Sequence, residues 1–187
     1  MAPPVLRTAG DDEQDVSIIT QIKHSPEFKK FVHVYKVEYE KLHIQQDIDE
    51  ILAMNSSRMS RELYDKRQYK PEVLMDASSK DSAFRSRIVE LRVKANLHIQ
   101  AMQSAVTAIS NYIYITYVKD DRQFSSESQR RTYIDMILKR YITEIEFASR
   151  MIDLADTIVK DIDQSGFMVH NMIECLTLLA ENRGKVL

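Results

Sequence analysis

The sequence predicts an all-α fold: a bundle of long antiparallel helices with coiled-coil-like heptad seams. Three observations predict it. Only 3 Gly and 4 Pro occur in 187 residues, so little interrupts a helix or supplies a hairpin turn. A hydrophobic content of 44% is enough for a buried core. Apolar residues also recur at alternating spacings of four and three over long stretches, the period of helices that each bury one stripe.

The elements follow in order. Residues 1–24 hold Pro3, Pro4, Gly10 and the acidic run Asp11, Asp12 and Glu13, without a sustained apolar period, and are expected to form a flexible N-terminal arm with a short helix near Val16 to Ile22. Ser25 is a good N-cap and Pro26 suits the first helical position, where a missing N–H goes unnoticed. Phe28, Val32, Tyr35, Tyr39 and Leu42 form the first seam, and the stripe resumes in a new phase at Ile44, Ile48, Ile51, Met59 and Leu63. That shift predicts two different neighbours, or a break near Asn55, Ser56 and Ser57.

Residues 68–80 read as a connector, because Pro71 biases the residue before it away from helix. A second helix carries Phe84, Ile88, Leu91, Ala95, His98, Met102, Ala105, Ile109 and Tyr112, and extends to about Val118. Its last residues, rich in aromatic and β-branched side chains, have strand as a competing reading. After a polar turn, Ser126 and Gln129 fit a capping box. The third seam is Ile134, Leu138, Tyr141, Ile145, Ala148, Ile152, Ala155, Val159 and Ile162, continuing in phase through Gly166, Val169, Ile173, Leu176 and Ala180. One bent helix therefore competes with two helices parted at Gly166, and the continuing register favours one. The domains expected are the arm at 1–24, a long two-helix hairpin at 25–118 and a C-terminal helical segment at 119–187.

Motifs for chemistry are thin. Asp161, Asp163, Ser165 and Gly166 match the opening of an EF-hand loop, but its twelfth position, which needs a bidentate carboxylate, is Met172. Glu40 and His43 have the i, i+3 spacing of a di-iron bundle, and no other His has a Glu three residues before it. His98, on the second seam, reads as a hydrogen-bonded core or interface histidine. Cys175 sits in an apolar run and reads as core, and His170, five residues earlier, falls on a different helix face. No glycine-rich phosphate loop, nucleophile elbow or zinc-type cluster is present. The expectation is a non-enzyme without metal or cofactor.

The 26 basic and 28 acidic residues leave a net charge of -2, so no global field draws the chain to nucleic acid or lipid. No apolar stretch reaches the roughly 20 residues of a membrane-spanning helix, and no signal segment precedes Gly10, so no membrane role is expected and the setting is cytoplasmic, whether host cytoplasm or a viral particle. Locally the balance differs. Between Asn55 and Gln100 ten basic residues face six acidic ones, and Tyr64 and Tyr69 are interleaved with Arg58, Arg61, Lys66, Arg67 and Lys70, ahead of Arg85 and Arg87. Aromatic rings among cations are what single-stranded nucleic acid uses for stacking and phosphate neutralisation.

A long helix rich in Tyr and Lys, from Phe31 to Leu63, leads into the basic-aromatic segment Arg61 to Pro71, then a polar connector and a helix ending in Ile109 to Ile113. Over residues 28–118 this order resembles the recombination mediator of T4-type phages. The resemblance implies a ring-forming oligomer that binds single-stranded DNA and helps load a recombinase. Arg58, Arg61, Lys66, Arg67, Lys70, Tyr64 and Tyr69 would be the contacts. The chain departs from that pattern in lacking a glycine turn after the aromatic pair and in adding the module from Ser126 to Leu187.

Two readings of function follow. One is a non-catalytic oligomeric assembly protein that binds single-stranded DNA, with DNA recombination as its setting. The other is a structural or scaffolding component of a viral particle or another large complex. Both expect a homo-oligomer and protein partners. The expected assembly seam is Ile134, Leu138, Tyr141, Ile145, Ile152 and Val159.

Overall fold

A computed structural model describes residues 18–60 and 70–184, with side chains through residue 181. Four long helices dominate: α1 (Pro26–Glu40), α2 (Ile44–Met59), α3 (Pro71–Ile113) and α4 (Glu127–Gly184). A π-helical segment, Tyr114–Val118, continues α3, and residues 18–24 are helical ahead of α1. No strand occurs among the described residues, so the chain is the all-α bundle that its periodicity predicts.

The chain divides into two compact units, and α3 and α4 contribute to both. The first holds the described residues up to Leu42 together with Leu97–Phe147. Its α1 begins where the cap requires: Ser25 Oγ accepts from the Phe28 amide at 3.2 Å, with Pro26 next. The same hydroxyl donates to the Ile22 carbonyl at 2.7 Å, tying the preceding turn to the helix. Phe28, Phe31 and Tyr35 of α1, Ile99, Met102 and Ile109 of α3, and Ile134, Leu138 and Ile145 of α4 are buried. Around them the Phe28, Phe31 and Tyr35 rings meet Tyr141 edge-on, at centroid distances of 6.4, 4.9 and 4.8 Å. Edge-to-face packing of this kind sets the positive rim of one ring against the negative face of another. Tyr112 at the far end of α3 donates to Glu27 at 3.0 Å, whereas His98 nearer its middle meets Glu38. The pairs step in opposite senses, so α1 and α3 are antiparallel.

The second unit holds His43–Asn96 and the described residues from Ala148 onward. Ile44 and Ile51 of α2, Leu74, Ala77, Ile88, Leu91 and Ala95 of α3, and Met151, Ala155, Ile158, Ile162 and Val169 of α4 are buried. Arg85 pairs with Asp163, and Arg92, about two turns on, pairs with Asp156, about two turns back. That fixes α3 and α4 as antiparallel here.

Three local expectations change. The break in the first long helix falls at residues 41–43, not near Asn55. Leu42 and Ile44 are both buried, and two positions apart on one helix they would point about 160° from each other, so the chain must turn between them. The expected connector at 68–80 shortens, because α3 begins at Pro71 with the Lys70 carbonyl accepting from the Val73 and Leu74 amides at 3.0 and 3.2 Å. Leu74 and Ala77 continue the seam of α3 backwards into the core. Beyond Ile113 the backbone widens into π geometry, with the Lys119 amide bonded to the Tyr114 carbonyl at 2.8 Å. Cys175, expected in the core, is exposed. Through Gly166, α4 is one helix, 58 residues long.

Candidate functional site

The second unit gathers charge that the sequence scatters. Arg58, near the end of α2, has a side chain only 6% exposed. Its Nη1 donates to Ser165 Oγ at 3.0 Å and its Nη2 to Asn55 Oδ1 at 3.3 Å, and it forms an ion pair with Asp161. Its Nε is buried without a hydrogen-bond partner among the described residues. Arg85 of α3 holds Asp163 through both carboxylate oxygens, at 2.6 and 3.2 Å. The fork of a guanidinium matches a carboxylate in this two-point geometry. Hydrogen bonding to Asp163 raises the Arg85 guanidinium above its ordinary value. Arg87 spans Glu50, at 2.7 and 3.2 Å, and Glu90, at 2.9 Å. The hydrogen bond from Arg87 holds the Glu50 carboxyl below the usual carboxylate range. Together these pairs clamp α2 and α3 onto α4.

The clamp joins two sequence motifs that look unrelated. The three side chains that imitate an EF-hand, Asp161, Asp163 and Ser165, are each engaged by an arginine of the basic region. Among the described residues no group of three His, Cys, Asp or Glu could hold a metal ion. Of the residues singled out for nucleic acid, Arg58, Arg85 and Arg87 face carboxylates, the latter two with 46% and 43% of the side chain open. Lys70 is exposed immediately before α3. Arg61, Tyr64, Lys66, Arg67 and Tyr69 lie outside the described residues.

In the first unit, His98 Nδ1 lies 2.8 Å from Glu38 Oε2, and Lys41 donates to the other Glu38 oxygen at 2.6 Å. The Glu38 carboxyl is lowered by Lys41 first and His98 second. An open apolar groove of about 320 Å³ runs between α1 and α3, floored by Phe31, Val34, Ala105 and Ile109.

The expected assembly seam is covered by the chain itself. Ile134, Leu138 and Ile145 are buried in the first unit, where Tyr141 is half-buried, and Val159 is buried in the second, where Ile152 is half-buried. A different face of α4 stays open. Phe167, Met168, Leu178 and Leu179 are 68, 52, 59 and 58% exposed, and Cys175 is exposed beside them. Met168, Met172, Cys175 and Leu179 are spaced four, three and four apart, which gathers them within about 60° of the helix circumference. The buried stripe through Ile162 and Val169 lies about 100° around from it. Following only the stripe in phase with Ile134 conceals this second one, although its spacing is legible in the sequence.

No helix among the described residues is long and apolar enough to cross a membrane. No family model, curated protein or solved structure matches the chain.

Proposed function

We propose that this is a non-catalytic helical assembly protein that joins its partner through the C-terminal half of α4. The observation that carries the reading is the double-sided apolar character of that helix. One side packs in the second unit, and the other leaves Phe167, Met168, Leu178 and Leu179 more than half exposed. A helix apolar on two faces needs two neighbours, and a contiguous exposed patch rimmed by polar residues marks an interaction surface. Single-stranded DNA binding through Arg61 to Lys70 is the rival reading. The engagement of Arg58, Arg85 and Arg87 by carboxylates favours protein assembly over it, because those cations must exchange partners before they can neutralise phosphate.

Size-exclusion chromatography with light scattering, run with and without a labelled single-stranded oligonucleotide at low and physiological salt, separates the two. Association lost in Leu179→Glu and indifferent to DNA is the expected result. Salt-dependent co-elution with DNA, unchanged in Leu179→Glu and lost on neutralising Lys66, Arg67 and Lys70, would establish the rival.

A further inference from the structure

We propose that the neighbour seated on the open face of α4 is a second copy of this chain, the two copies meeting across Met168, Met172, Cys175 and Leu179. The inference rests on the assembly reading above and names its partner. The spacing is the first argument. A four-three-four series reads the same in both directions, so a two-fold axis can lay every member of the stripe against a member of the other copy, as an isologous interface requires.

Charge is the second argument. From Gln164 to Leu179 the open face carries Gln164 and Asn171 as its polar residues and no charged side chain. His170 and Glu174, on the neighbouring edge, lie 3.3 Å apart. A face without charged side chains brings no like charges together when it meets its own copy, so no repulsion opposes the pairing.

Area is the third. Phe167 and Leu178 flank the stripe about 90° around, on the side away from the core, so the open face is about 140° wide, and its four side chains left more than half open amount to about 400 Å² of apolar surface, the size of the largest patch on an ordinary monomer. Doubled, and with a polar rim, this reaches roughly 1,200 Å², the lower end of specific interfaces. The methionines add adaptability, since unbranched thioether side chains repack against their own kind without a preset shape. The expected product is a reversible dimer, formed in the micromolar range.

Sedimentation velocity on the full chain, from about 1 to about 100 μM, reads this directly. Twice the chain mass at high concentration is expected, and monomer with Met172→Glu or Leu179→Glu. Because Cys175 is the only cysteine, a short bismaleimide reports position: a crosslinked dimer should form in the native chain and vanish in both variants. Circular dichroism confirms folding, and the largely exposed Leu179 serves if the half-buried Met172 perturbs the helix. A monomer at every concentration, with no crosslink, overturns the second copy. The assembly reading then survives only if a different protein binds the native chain and not Leu179→Glu. A dimer that withstands both variants overturns this face for either partner.

Discussion

Arg58 donates to Ser165 Oγ at 3.0 Å from a site where its side chain is 6% exposed, while Asp161, one turn earlier on α4, supplies the countercharge. The two partners are not equivalent, because Asp161 is 52% exposed and Arg58 is not. Removing the carboxylate strands a buried cation, whereas removing the cation leaves a carboxylate that water can reach. Asp161→Asn is therefore expected to destabilise by about 2 kcal/mol, less than a fully buried pair would show. Arg58→Met, of similar volume, should fall within about 1 kcal/mol of the native chain. The double variant should match Arg58→Met alone. Urea midpoints test the order, and equal losses from the two single changes would contradict it.

Tyr35 donates its hydroxyl to the Tyr141 carbonyl at 3.0 Å within the aromatic cluster of the first unit. Tyr35→Phe should cost about 1 kcal/mol, the net value of a part-buried hydrogen bond. Burial first, and the Glu144 carboxylate second, push the Tyr35 phenol above its ordinary value of 10.0. A raised folded value means that the native state keeps a proton which the unfolded chain releases. This contribution to stability is complete below about pH 10 and declines as pH rises towards the folded value. Native unfolding free energy should fall above that pH, with a shallower slope in Tyr35→Phe. Ultraviolet titration of phenolate beside denaturant curves reads both.

The acid limb runs the other way. The Glu38 carboxyl is lowered from 4.5, by Lys41 before His98, so its stabilisation is present above about pH 4.5 and is lost as pH falls through the depressed value. Glu38→Gln should be less stable than the native chain at neutral pH, and the difference should close under acid conditions. A gap that stays constant from pH 7 to pH 3 would show that the carboxylate charge contributes nothing.

Gly166 lies inside continuous α4, and a methyl group placed there meets nothing within 4 Å. Gly166→Ala should therefore stabilise by about 1 kcal/mol, the difference in helix propensity, and raise the thermal midpoint by a few degrees. A lower midpoint would mean that the glycine serves a bend.

The legible part of the fold was carried by period and caps. Ser25 with Pro26, and Ser126 with Gln129, open helices where the sequence puts them: the Gln129 amide bonds Ser126 Oγ at 3.2 Å, and the Gln129 side chain returns to the Ser125 amide at 2.9 Å. The phase shift between Leu42 and Ile44 marked a break, but the polar run at Asn55 drew attention to the wrong place. That run stays helical and carries Arg58 into its clamp. The start of α3 is misplaced because Pro71 reads as the middle of a connector, whereas it opens the helix, and Leu74, Ala77 and the carboxylate Asp81 are buried behind it. The clamp itself was illegible, because Arg58 and Asp161 are distant in sequence and spacing says nothing about such pairs. Each half therefore reads alone, as a cation for phosphate and as an incomplete calcium loop.

At Tyr114–Val118 the Lys119 amide reaches back five residues to the Tyr114 carbonyl, one more than an α-helix spans. The chain thus carries one surplus residue there, taken up as a bulge instead of as rotation of everything that follows. On either side Ile113 and Val118 remain inward while Ile115 stands out in solvent. In terms of insertions and deletions, this is the point where the helix can lose a residue and keep both flanking faces in place. A deletion at Ile115 lets the bulge close to ordinary α geometry, whereas the same deletion two turns earlier in α3 turns Ile109 away from its core.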